Sequence, residues 1–260
     1  MSTYLRSTFT IAVAVALAVA ISTGPIRAAD GSKALRARVR ALEATVAELE
    51  AKLTYMRVEQ DPDNGLAGPH VIFEGCNVHV RSGSGDSTDG TFDLTNRTLI
   101  PDTTPLGLGN LVLGYDEAPI FGDGPSRGGS HNLIVGPGHN FSSVGGVLFG
   151  QENKVTAPLA SVTGGYLNLA SGIESSVSGG FGNTAQGATT NVSGGYDNNA
   201  NGIYSSVAGG FQNDAFGGYS TISGGYGNKT IGDYSSVSGG SVHTTQGNFD
   251  WAAGALFQDF

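Results

Sequence analysis

The sequence has little of what compact proteins use to build a core. Its 260 residues include one cysteine, one tryptophan and two methionines, and only 13% are charged. A lone cysteine excludes an intrachain disulfide framework and a multi-cysteine zinc site. Basic side chains are also scarce: beyond residue 160 the only one is Lys229, so a surface of clustered Lys and Arg that follows phosphates is missing. Nucleic acid is therefore not an expected partner. The formal net charge is -9; without residues 1–28, which hold Arg6 and Arg27 and no acid, 11 basic groups face 22 acidic ones, giving -11. Such acidity keeps an exposed, extended protein soluble.

What the chain has instead is glycine, 42 residues of it, and a strict period. Residues 160–249 repeat one phrase of fifteen residues six times, from ASVTGGYLNLASGIE to SSVSGGSVHTTQGNF. Column three reads Val162, Val177, Val192, Val207, Ile222 and Val237; columns five, six and thirteen are always glycine. Column nine runs Asn168, Asn183, Asn198, Asn213 and Asn228, then His243. A fixed period of this kind marks a solenoid, each repeat one coil stacked on the last. Two segments alternate in character within a repeat, which turns the column-three Val and column-eleven Ala inward and the neighbouring Ser, Thr, Asn and Gln outward. The glycines suit corners where φ is positive or two backbones approach closely. The expected fold is an all-β solenoid with two short parallel strands per coil.

Columns seven and fifteen carry aromatics. Tyr166, Tyr196 and Tyr226 alternate with Phe181 and Phe211 in one, while Tyr204, Tyr219, Tyr234 and Phe249 form the other. Stacked coils would set successive rings about 4.8 Å apart. These tyrosines suit either a structural ladder or subunit contact, or a platform for sugar rings. The Asn column suits a hydrogen-bonded ladder or a turn residue that tolerates the left-handed conformation.

Catalysis finds no recurring nucleophile, base and orienter, and the five histidines are dispersed. No cofactor is expected. His70, Cys76 and His79 match no zinc spacing, and the glycine-rich phrases lack the fixed Asp column that calcium-binding repeats need, since Asp197, Asp214 and Asp233 fall in different columns. Outward Thr is too scattered for ice binding.

Before the repeats the character of the chain changes several times. Residues 1–28 read as a signal peptide, with Arg6, an apolar run from Phe9 to Ile21, then Gly24, Pro25 and small residues, cleaved after Ala28 or Ala29; the run is short for a membrane anchor. No later stretch is long enough to span a bilayer as a helix, so the mature chain is expected to be secreted or at a cell surface. Residues 32–60 show heptads: Leu35, Leu42, Leu49 and Met56 form one column, with Val39, Val46 and Leu53 four residues after the first three. These are the seams of a coiled coil, and an isolated helix of this length is marginal in water, so a homo-oligomer is expected. Val at a with Leu at d leans toward two strands. Pro62 and the turn formers around it stop the helix, and residues 61–109 hold short β-like runs at Val71–Phe73 and Val78–Val80, then a flexible loop at Ser82–Gly90. Between Thr91 and Gly107 no element is assigned. Cys76 suits a small buried hydrophobe, a link between chains or a free reactive thiol. Residues 110–159 form irregular entry coils, in which NLVLG and NLIVG lie 22 residues apart with the excess thrown out as a loop, and residues 250–260 form a bulkier cap.

NLVLG, NLIVG, SVSGG and the pattern Asn-x-Ala-x-Gly, spread over residues 110–249, resemble the YadA-like head of trimeric autotransporter adhesins. The resemblance implies a left-handed parallel β-roll, three chains packed about one axis and joined to a coiled-coil stalk, and an extracellular role in attachment, with matrix or glycans as partners. It differs in the fifteen-residue repeat and in placing the coiled coil before the head, and the family's C-terminal membrane barrel has no counterpart in these residues. The resemblance favours three chains where the seam composition leans toward two.

Overall fold

The structure is a computed structural model that describes residues 32–59, 69–115, 117–122 and 124–254. The expected signal peptide, the turn at Asp61–Gly65 and the apolar end of the cap, with Leu256 and Phe257, lie outside the described residues. The chain divides into two compact units, residues 1–79 and 80–260.

In the first unit, helix α1 spans Ser32–Lys52. It is rich in Ala, Leu, Glu and Arg, which propagate a helix well, and none of its residues is buried. The expected helix to residue 60 is too long. Leu53–Tyr55 turn, and Met56–Glu59 forms a strand paired antiparallel with His70–Phe73, Met56 opposite Phe73. Thr54, Tyr55 and Val58 lose side-chain freedom in a helix and favour a pleated strand, and Arg57 ties the hairpin through Glu59 at 3.0 Å and Glu74 at 2.6 Å. Met56 therefore leaves the heptad seam, and Leu53 sits just beyond the helix. The strand at His70–Phe73 takes this partner, so Val78–Val80 is not a strand. Cys76 is exposed, which removes the buried-hydrophobe reading. Among the described residues no helix is long and apolar enough to cross a membrane.

The second unit is a parallel β-solenoid. One sheet has ten strands, from Leu111–Leu113 to Trp251–Ala252, and the other has eight, from Asn140–Phe141 to Thr244–Thr245. Each regular coil gives one strand to each, in a register of fifteen: Val162 lies opposite Val177, and Ala170 opposite Ala185. Column three from Val162 to Val237 and column eleven from Ala170 to Ala215 are fully buried, so the slender interior is a file of Val and Ala. Removing that apolar surface from water is the main local driving force, while the parallel ladders satisfy the backbone.

The entry coils are one residue shorter. Leu133 pairs with Val147 and Val147 with Ser161, steps of fourteen, whereas Leu111 to Leu133 is a step of 22. Leu148 stands two residues before Gly150, but Val162 stands three before Gly165, so the added residue falls in the stretch that carries the column-five glycine. Two kinds of glycine then follow. Gly180 has φ +83 and a Cβ there would lie 2.2 Å from the Gly195 carbonyl oxygen, while Gly187 needs no left-handed φ but would put a Cβ 2.6 Å from Gly202 oxygen. The left-handed corners the sequence did not reveal are in columns eight and fifteen, occupied by ordinary residues such as Asp197, Gln212, Tyr204, Tyr219 and Tyr234 at φ between 53° and 58°.

Polar groups are buried too, against the expectation that they all face out. Asn168 through Asn228 are at most 1% exposed. Each donates Nδ2–H to two glycine carbonyls and accepts the next backbone N–H at Oδ1, as Asn198 does with Gly194 (2.9 Å), Gly210 (2.9 Å) and Asn213 N–H (3.0 Å). Histidines end the file: Asn153 N–H donates to Nδ1 of buried His139 at 3.2 Å, and His243 N–H donates to Asn228 Oδ1 at 2.9 Å. Because His139 Nδ1 accepts, its Nε2–H donates to Val135 oxygen at 3.1 Å.

Residues Ser82–Gly90 are a pinned set of turns rather than a flexible loop. The Asp89 side chain, wholly shielded, accepts from Ser82 Oγ–H at 2.6 Å and Leu106 N–H at 2.9 Å, and Asp86 accepts from Thr88. Phe92–Asp93 and Thr98–Leu99 then form a hairpin with Phe92 buried. Arg97 pairs with Glu174 and reaches Thr189 Oγ at 3.5 Å. These are the first two members of column fifteen, the two that are not aromatic. The inserted loop of the first coil is fastened by Glu152, 7% exposed, whose carboxylate accepts the N–H of Ile120 (2.9 Å) and of Phe121 (3.4 Å).

Candidate contact surfaces

The column-seven rings form one continuous ladder. Phe181 and Tyr196 stack at 5.0 Å and 10°, Tyr196 and Phe211 at 4.8 Å and 11°, Phe211 and Tyr226 at 5.3 Å and 19°. Tyr166 meets Phe181 edge-on at 5.4 Å, and Phe121 of the fastened loop caps Tyr166 at 6.4 Å. In column fifteen Tyr204, Tyr219, Tyr234 and Phe249 stack at 4.9 to 5.1 Å with planes within 17°. Offset stacking at these distances is favourable and, in column fifteen, offsets part of the cost of the left-handed backbone at Tyr204, Tyr219 and Tyr234. It also covers ring faces with ring faces, leaving edges and hydroxyls, near half exposure from Tyr196 to Tyr234, toward solvent. A sugar stacks on a free face, so interior members of either ladder offer it little.

A second surface was not singled out from the sequence. The outward residues of the ten-stranded sheet are Leu111 and Leu113, Leu133 and Val135, Val147 and Phe149 in the three entry strands. From the fourth strand to the ninth they become mostly Ser, Thr or Asn, as at Ser161 and Thr163, Ser176 and Ser178, Asn191 and Ser193, before Trp251 and Ala253 in the last strand. The inward partners Ile134 and Leu148 are fully buried, so the entry strands are apolar on both faces. The signal was present in NLVLG, NLIVG and VLFG, where no polar residue alternates. A strand covered on both faces reads as such a run.

The heptad seam is a third surface. Leu35 and Val39 are exposed, and Leu42, Val46 and Leu49 remain half-buried along α1. Among the described residues no group of three or more His, Cys, Asp or Glu could hold a metal ion. Columns eight and ten of the third and fourth coils do bring polar side chains together: Gln212 Nε2–H donates to Asp197 Oδ2 at 3.2 Å and Asn199 Nδ2–H to Asp214 Oδ1 at 2.8 Å. Lys229 lies 3.7 Å from Asp214 and 5.1 Å from the centre of the Phe216 ring.

No family model matches the chain, and no curated protein matches it.

Proposed function

We propose that the protein is an exported, non-enzymatic attachment or matrix-forming protein that works as a homo-oligomer, with three chains the preferred number. The observation that carries this reading is the apolar outward face of the entry strands, Leu111 to Phe149, on a sheet whose remaining outward face is hydroxyl-rich. Apolar faces of this kind mark contact surfaces in soluble proteins. Helix α1 supports the same reading, since it has a regular Leu and Val stripe and no buried residue. Three chains are preferred because the resemblance of residues 110–249 to the YadA-like heads outweighs the two-strand lean of the five seam residues left on α1, Leu35 to Leu49.

Several heads on one stalk multiply weak contacts, which suits attachment. Beads coated with the purified protein should be retained on matrix-coated or glycan-coated surfaces beyond albumin-coated beads. Replacing Leu42 and Leu49 by Asp should abolish that retention by dissociating the oligomer. Equal retention of protein-coated and albumin-coated beads on every surface would refute the attachment role.

A further inference from the structure

Tyr226 is the last ring of its ladder. It stacks on Phe211 on one side, but its partner on the other side, one coil on, is Ser241, too small to cover the ring. The residue after it is Gly227, so the corner column carries no side chain there either. The result is a hollow of about 390 Å³ that runs across four coils, from Asp197 and Asn199 through Gln212 and Asp214 to Tyr226 and Val242.

We propose that this groove binds an uncharged oligosaccharide chain. The contents of the groove choose the ligand class. Tyr226 offers an aromatic face for the C–H face of a pyranose, the one feature the interior rings of both ladders lack. Asp197, Asn199 and Gln212 each keep an unused oxygen after these hydrogen bonds, while the second oxygen of Asp214 faces Lys229 at 3.7 Å, and sugar hydroxyls are the natural donors to the free oxygens. Two carboxylates with a single cation, Lys229, itself near Asp214 and Phe216, repel sulfated or sialylated chains. Coils about 4.8 Å apart present the polar pairs of two successive coils and then the ring of the next, steps that a linear chain of pyranoses can follow. The groove deepens the attachment reading by naming what is attached to, and it rests on that reading. Its own test does not depend on oligomer mass.

The test is a calorimetric titration of the full chain with cellotetraose, with the tetramer of N-acetylglucosamine, and with a heparin tetrasaccharide. The expected result is saturable binding of at least one neutral tetramer and none of the heparin fragment. Tyr226→Ala should weaken binding at least tenfold, Tyr226→Phe should keep most of it, and Asp197→Asn should weaken it severalfold while conserving shape. Tyr219→Ala, in the other ladder, should change it less than twofold. Circular dichroism and sedimentation of each variant identify any loss of fold, and Asp197→Asn carries the test if Tyr226→Ala unfolds. The groove is refuted by no saturable binding of either neutral tetramer, by stronger binding of the heparin fragment, or by equal effects of the Tyr219 and Tyr226 substitutions. Unbound sugar with an unchanged oligomer mass would sink the groove alone, whereas a monomer that still binds sugar would sink the oligomer alone.

Discussion

The backbone N–H of Asn213 donates to the side-chain oxygen of Asn198, fifteen residues earlier, at 3.0 Å, in a position from which water is excluded. The same contact repeats between neighbours from Asn153 to His243, so one residue type fastens every coil to the next. Asn198→Ala would orphan Asn213 N–H and the carbonyl of Gly194, while the Gly210 carbonyl keeps the Tyr196 N–H at 2.9 Å. At about 1–3 kcal/mol for each unsatisfied group, the loss should be at least about 2 kcal/mol in urea unfolding. Asn198→Asp keeps the acceptor and loses the donor, and should be worse because it also buries a charge.

Adjacent glycines should respond differently to the same substitution. Gly180→Ala forces a left-handed alanine whose Cβ lies 2.2 Å from the next coil's carbonyl oxygen, and should cost at least about 2 kcal/mol, the steric and dihedral penalties together. Gly179→Ala meets nothing closer than 3.9 Å and needs no left-handed φ, so its cost should stay below about 1 kcal/mol. Denaturant midpoints of the two variants decide the matter.

Hydroxyls in column one should divide by what faces them. Thr230 donates to Ser220 at 2.8 Å, but Ser205 is buried with no hydrogen-bond partner in a coil whose column-eleven residue is Ala215. Ser205→Ala should therefore be neutral or slightly stabilising, and Ser220→Ala should cost about 1 kcal/mol in the same unfolding assay.

Acid should loosen the segment that precedes the solenoid. Burial alone would raise the Asp89 carboxyl, but hydrogen bonds from Ser130, Ser82 and the Leu106 N–H outweigh it and hold the group well below the usual carboxylate range. Hydrogen bonds from Thr88 lower Asp86 in the same direction. A depressed folded value means stability that is present above the ordinary carboxylate value, about 3.9, and lost as pH falls through the folded one. The unfolding midpoint of the wild type should thus fall below about pH 4 more steeply than that of Asp89→Asn. Parallel curves for the two proteins would show that Asp89 does not contribute.

Much of this architecture was readable because the period is strict. Val162 and Ala170 recur every fifteen residues, and that alone places two inward positions per coil. The left-handed corner at Tyr204 was not readable, since its conformation is imposed by stacking on the coils above and below and not by its own preference. Nor was the strand at Met56–Glu59, where the heptad continues in the letters but Tyr55 and Val58 find a β partner at His70–Phe73. The pinning of Ser82–Gly90 depends on Leu106 and Ser130, contacts of 17 to 41 residues' separation from Asp89 that composition does not record. The polar groove beside Tyr226 was hidden for a related reason: its members lie in different columns of four successive coils.

Association is the central claim, and mass in solution tests it most directly. Sedimentation equilibrium of the purified protein at micromolar concentration should return close to three times the mass of the chain, which is 26.4 kDa before any cleavage, and Leu42→Asp with Leu49→Asp should lower it. A stable single-chain mass for the wild type across that concentration range would contradict the account.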